Sequence, residues 1–108
     1  MSMYVDVLSD ALKSWNGGVS GEALLDQVVD RRVFMLSARV GCTPSAYDLL
    51  AAEIAYDASL MRLCDDLGVA TKAADFANPL VERTRIEREL AETCGVDLGA
   101  LARARCRP

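Results

Sequence analysis

Two acids, Glu53 and Asp57, stand one helical turn apart in a stretch that otherwise reads as the apolar face of a helix, E-I-A-Y-D-A-S-L-M-R-L-C at residues 53–64. Carboxylates spaced i and i+4 can hold a hard cation such as Mg²⁺ or Mn²⁺, which takes oxygen ligands. They can also pair with a cation of the protein itself. The 108 residues include no histidine, which excludes Ser-His-Asp and Cys-His nucleophiles and the Glu-x-x-His ligands of di-iron bundles.

Four cysteines are the other residues able to do chemistry: Cys42, Cys64, Cys94 and Cys106. No two of them form the C-x-x-C pair that is usual at a four-thiolate zinc site. Free cysteine packs as a small hydrophobic residue, so we expect reduced and mostly structural thiols. A disulfide or a metal site is the alternative, and no cofactor is predicted.

The elements that position these residues are predicted to be helices. Ala, Leu, Arg and Glu are plentiful, and only 3 prolines occur, which favours helix over strand. Apolar residues recur at helical spacing, and glycines and capping residues divide the pattern. The sequence predicts a single all-α domain of four main helices and a short C-terminal helix, near 3–15, 21–40, 45–67, 79–94 and 97–104. The second and third helices, 21–40 and 45–67, should form a central antiparallel hairpin because the loop between them is short.

Charged residues interrupt the apolar faces of both hairpin helices. On a helical wheel, Glu53 and Asp57 fall near the centre of the apolar arc of the third helix, and Arg32 and Arg39 fall inside that of the second. A lone buried charge is costly, so pairing is expected. We predict an Arg32–Glu53 bridge, with Asp57 either sharing Arg32 or taking a second cation. Arg39 lies nearer the hairpin loop and has no assigned partner.

This buried ion pair or pocket has two interpretations. As a structural feature, it would fix the register of the hairpin inside a bundle or dimer. As a functional one, it would be a cleft for a small anion or a partner's polar group, or a divalent-metal site on Glu53 and Asp57.

The exposed surface of the predicted helices indicates a partner. The second and third helices are apolar around more than half their circumference, more than a small monomer covers easily. We therefore expect a homodimer, or a complex with another protein, through these two helices. The fourth helix alternates Arg83, Arg85 and Arg88 with acids, which is typical of a solvated surface with local ion pairs.

Residues 88–107 offer a second functional hypothesis. Apolar, small and glycine residues follow one another there in the order of a DNA-binding motif: Leu90, Ala91, Cys94, Gly95, Val96, Leu101 and Ala104. The segment thus resembles a helix-turn-helix. The resemblance implies that Arg103, Arg105 and Arg107 contact phosphates or guanine edges. Alternatively, Gly95 simply ends one helix and Asp97 caps the next.

Net charge and hydropathy limit the cellular locations and the binding partners that we expect. The net charge of -4 is unfavourable for nucleic acid or anionic lipid as a general partner. No apolar run is long enough to span a membrane, and the first residues lack the basic start of a secretory signal, so we expect a cytoplasmic protein. The favoured interpretation is a non-enzymatic helical interaction or regulatory protein. The alternatives are a small DNA-binding regulator and, less favoured, a carboxylate-dependent metal enzyme.

Overall fold

The predicted all-α fold is confirmed. The computed structural model describes residues 3–13, 21–40 and 46–106, without the side chains of residues 39, 40, 105 and 106. Within these ranges it contains no strand, one 3₁₀ turn at Ala73–Ala77 and five α-helices: α1 (Met3–Lys13), α2 (Gly21–Val40), α3 (Ala46–Leu67), α4 (Pro79–Thr93) and α5 (Leu98–Cys106). No helix in this part of the chain is long and apolar enough to cross a membrane.

Local sequence signals set the described helix ends. Gly68 ends α3 and Gly95 ends α4, both with positive φ (80° and 69°), a conformation that glycine adopts without steric cost. The N–H of Val96 closes the end of α4 by donating to the carbonyl of Leu90 at 3.0 Å. Asp97 then caps α5, because its Oδ1 accepts the N–H of Ala100 at 3.0 Å.

The central hairpin brings α2 and α3 into more extensive contact than any other two described helices. Gly21 at the start of α2 lies beside Asp66 near the end of α3, and Arg31 donates to Ser59 further along. These pairings run in opposite directions along the two helices, so the hairpin is antiparallel as predicted. α1 packs on α3 and on the 3₁₀ turn, and α5 packs on α2.

The core lies where the hairpin meets α1, the 3₁₀ turn and α4. The largest fully buried side chains there include Leu8, Tyr56, Leu60, Phe76, Ile86 and Leu90. α4 packs closely on the 3₁₀ turn and brings a narrow apolar stripe to this core.

The prediction that the charges of α4 form a solvated surface is only partly right. Arg85 does pair locally with Glu82 and Glu89, at 2.8 and 2.9 Å. Arg83, however, is only 4% exposed. Its guanidinium points into the protein, where it meets α3.

Candidate functional site

Asp57 stands at the centre of a buried polar cluster between α1, α3 and α4. Its side chain is fully buried in the middle of α3. Arg83 of α4 donates to both carboxylate oxygens, from Nε to Oδ1 at 2.7 Å and from Nη2 to Oδ2 at 2.8 Å. This two-point contact matches the planar fork of a guanidinium to a carboxylate, which is the strongest geometry for such a pair.

Two further residues complete this group, which we call the Asp57 cluster. The hydroxyl of Tyr4 in α1 donates to Asp57 Oδ2. Glu53 lies one turn before Asp57 on α3, and its Oε1 is 3.8 Å from Nη1 of Arg83. The cluster therefore ties the first helix of the chain to the fourth through a carboxylate on the third.

A second group, the Glu87 cluster, lies beside the first. Tyr56 of α3 donates its hydroxyl to Glu87 of α4, and Arg32 of α2 approaches the same carboxylate at 3.4 Å through Nε and Nη2. The guanidinium of Arg83 lies over the ring of Tyr56, 5.8 Å from its centroid, which is within range of a cation–π contact. The two clusters are thus in contact, and together they involve four helices.

Burial dominates the electrostatics of both clusters. It raises the pKa of the Asp57 carboxyl, and the Arg83 guanidinium and Tyr4 hydroxyl oppose that rise. Burial alone would lower the pKa of Arg83, but its hydrogen bonds to Asp57 raise it above its ordinary value. Arginine stays protonated at any ordinary pH, so a neutral Asp57 would leave a buried positive charge without its counter-charge. The pair is therefore ionised in the folded protein.

Both tyrosines of the clusters are held in their neutral form. Burial, and then the neighbouring carboxylate, raises the pKa of Tyr4 beside Asp57 and of Tyr56 beside Glu87. Each phenol therefore acts as a fixed hydrogen-bond donor to a carboxylate.

The structure gives the predicted site residues different partners from those expected. The arginine that contacts both acids is Arg83, whereas Arg32 lies against Glu87. Asp57 does not share Arg32, and the arginine that it binds also approaches Glu53. The sequence pattern favours Arg32 as the partner because Arg32 lies on the neighbouring helix of the hairpin, whereas the alternating charges of α4 predict an exposed surface. The side chain of Arg39 lies outside the described residues.

A signal for Arg83 was present in the sequence. Arg83, Ile86 and Leu90 stand at i, i+3 and i+7, so they share one face of α4. A helical wheel of α4 places Arg83 on the apolar stripe of that helix. In the same way, a wheel of α2 places Arg32 on the apolar stripe of α2.

The described residues do not provide a full set of ligands for the alternative of a metal site. Among the described residues, no group of three or more Cys, Asp or Glu side chains is close enough together to hold a metal ion. Asp57 also has both carboxylate oxygens hydrogen-bonded to protein donors. Chemically, this arrangement stabilises buried charges by pairing them with opposite charges.

The C-terminal arginines lie apart from both clusters. Gly95 ends α4 and Asp97 caps α5, as the alternative to a DNA-binding motif predicts. α5 packs on α2, and its Leu98 and Ala102 are buried. Arg103 is exposed beside Gly99. The side chain of Arg105 and all of Arg107 lie outside the described residues, so DNA contact by these arginines stays a prediction.

Comparisons of the chain with protein families, with curated proteins and with solved structures find no match.

Proposed function

We propose that this chain is a non-enzymatic helical interaction protein that works as a homodimer through α2 and α3. The observation that carries the proposal is a pair of exposed aromatic side chains on the two helices of the hairpin. Phe34 of α2 is 65% exposed and Tyr47 of α3 is 78% exposed. A single exposed apolar side chain is ordinary, but a contiguous apolar patch is typical of a contact surface, and Phe34 adjoins a groove lined by alanines.

The same face is suited to a second copy of itself. Phe34 lies on a groove of about 500 Å³. The α3 side of this groove is formed by Asp48 at one position and by the small residues Ala51, Ala52 and Ala55. A twofold interface must be self-complementary, because the same patch is used by both subunits. A protruding phenyl ring beside an alanine-lined groove meets that requirement, since each copy can insert Phe34 into the groove of the other.

The buried clusters support a structural rather than a catalytic role for the acids. Asp57 accepts hydrogen bonds from Arg83 and Tyr4, with its side chain wholly buried. Free thiols at Cys64 and Cys94 suit a reducing compartment, so a cytoplasmic location is part of the proposal.

The test is the mass of the protein in solution, measured by light scattering behind a sizing column. We expect twice the 11.7 kDa of one chain, and we expect Phe34→Glu to give the single-chain mass. Leu80→Glu is the matched control, because Leu80 is 60% exposed on α4 and lines a different groove. A single-chain mass for the unmodified protein, or equal dissociation by both variants, would overturn the proposal.

A further inference from the structure

A separate groove of about 390 Å³ lies between α2 and α5. Its walls are largely apolar and include Val33, Leu36 and Ala102. Two arginines, Arg32 of α2 and Arg103 of α5, also line it. A concave apolar site with a few convergent polar groups is the usual form of a small-molecule site, which typically measures roughly 300–1,000 Å³.

The two guanidinium groups converge beside Gly99. A Cβ atom at Gly99 would lie 3.5 Å from Nη1 of Arg103 and 3.9 Å from Nη2 of Arg32. Gly99 is not among the glycines with positive φ, so the backbone does not require glycine there. The missing side chain at Gly99 leaves space beside the two guanidinium groups and beside the carboxylate of Asp97, whose Oδ1 lies 3.4 Å from the same point.

The acids near this point leave part of that positive charge available. Glu87 faces the Nε and Nη2 atoms of Arg32, and Nη2 is also the Arg32 atom nearest Gly99. Each terminal guanidinium nitrogen carries two N–H groups, so Nη2 can donate to a second acceptor besides Glu87. Asp97 is the acid nearest Gly99, and its Oδ1 already accepts the N–H of Ala100. Arg103 forms no ion pair with any described residue.

We infer that this groove binds a small apolar molecule carrying a single carboxylate. The carboxylate lies between Arg32 and Arg103, where it accepts charge-assisted hydrogen bonds from two helices at once. The apolar body lies along Val33, Leu36 and Ala102, where its removal from water contributes to binding. Neither part is sufficient alone, because one half-buried and one exposed arginine bind a free anion weakly and the apolar walls do not select for charge.

The test is an NMR titration of the backbone amides of the full chain with octanoate, octanol and propionate, below the concentration at which octanoate forms micelles. We expect octanoate to shift the amides of Val33, Gly99 and Ala102 and to saturate. Octanol has the tail without the charge, and propionate has the charge without the tail. We expect both to bind at least about tenfold more weakly, a difference of about 1.4 kcal/mol.

Two variants locate the site. Arg103→Met should weaken octanoate binding about tenfold or more, whereas Arg88→Met, at an exposed arginine on α4, should leave it unchanged. Gly99→Leu should abolish binding by filling the space between the arginines, with the fold checked by circular dichroism. Saturating shifts confined to other residues, equal binding of octanol, or an unaffected Arg103→Met would overturn the inference, as would no binding of octanoate.

Discussion

Arg83 and Asp57 bind each other edge to edge across the contact between α4 and α3, through hydrogen bonds of 2.7 and 2.8 Å. Both side chains are almost completely removed from water. A buried charge without its partner is strongly unfavourable, so each of these residues is tolerable only in the presence of the other. The pair consequently fixes where along α3 the fourth helix sits.

Removal of Arg83 should therefore lower the free energy of unfolding by far more than the net contribution of the ion pair to stability. We expect Arg83→Met to lower the free energy of unfolding by about 3–5 kcal/mol, because the Asp57 carboxylate is left buried with only Tyr4 as donor. Urea denaturation followed by circular dichroism measures the change. Arg88→Met, on an exposed face of the same helix, should change stability by no more than about 0.5 kcal/mol.

A double variant distinguishes the energy of the Arg83–Asp57 ion pair from the effect of lost side-chain packing. In Asp57→Leu/Arg83→Met both charges are gone, so we expect much of the loss to be recovered, with a coupling of about 2 kcal/mol. Strictly additive effects of the two single substitutions would show that the ion pair is not what links these positions.

The hydroxyl of Tyr4 should anchor α1 to the rest of the domain. A hydrogen bond to a charged group contributes about 1.5–3 kcal/mol, and Tyr4→Phe removes only that bond. Unfolding by urea should show a loss of this size for Tyr4→Phe and almost none for Tyr47→Phe, since Tyr47 is 78% exposed. Equal effects at the two tyrosines would contradict the assignment.

Substitution of Arg32 should destabilise the protein less than substitution of Arg83, although the sequence pattern predicts Arg32 as the partner of the acids. Its side chain is 20% exposed and its partner Glu87 is 24% exposed, so water can take over much of the lost interaction. We expect Arg32→Met to cost about 1 kcal/mol in the same urea experiment. A loss as large as that of Arg83→Met would place the dominant pair on α2 instead.

Alkaline pH should destabilise the protein. Burial raises the pKa of the Cys64 thiol from 9.0 to about 12 and also raises that of Tyr56 above 10.0. The folded protein thus keeps protons that the unfolded chain releases, so this stabilisation is complete below pH 9 and is lost as pH rises toward 12. Each such group lowers the free energy of unfolding by about 1.4 kcal/mol per pH unit above its own unfolded-state pKa, which is 9.0 for Cys64 and 10.0 for Tyr56.

The variant Cys64→Ala tests the origin of that pH dependence. Urea unfolding at pH 8 and above pH 9 should give a shallower decline for Cys64→Ala than for the unmodified protein, whatever the variant's own stability at pH 8. Tyr47→Phe, at an exposed position, should retain the full slope. An unchanged slope in Cys64→Ala would exclude this thiol as a contributor.

Self-association through Phe34 should make thermal stability depend on protein concentration. Dissociation accompanies unfolding of a dimer, so mass action raises its Tm as the concentration increases. We expect this dependence in the unmodified protein and in Leu80→Glu, and we expect a constant Tm in Phe34→Glu. A constant Tm in all three proteins would argue against a dimer.

The helices and their ends were predictable because their signals are local. Gly68, Gly95 and Asp97 act on the backbone within a few residues, so their effects follow from sequence spacing alone. The hairpin of α2 and α3 followed from apolar periodicity and a short loop in the same way.

The partners in the polar clusters were less predictable because they depend on which helices meet. Arg83 has acids nearby in the sequence, and local pairing is the usual outcome for such a pattern. Tyr4 and Tyr56 fit the apolar stripes of α1 and α3, so a helical wheel groups them with the hydrophobic residues. The wheel does not predict the hydrogen bonds of their hydroxyl groups. Their roles become visible only when α4 has been placed against α3.

The order in which the chain is synthesised gives the Arg83–Asp57 pair a further consequence. Asp57 leaves the ribosome 26 residues before the arginine that neutralises it. Until then, closing the hairpin on α1 would bury a carboxylate with no counter-charge, which is unfavourable. We therefore expect α1–α3 to close only once α4 is available. A fragment that ends before α4 should remain sensitive to protease, and the full chain should not.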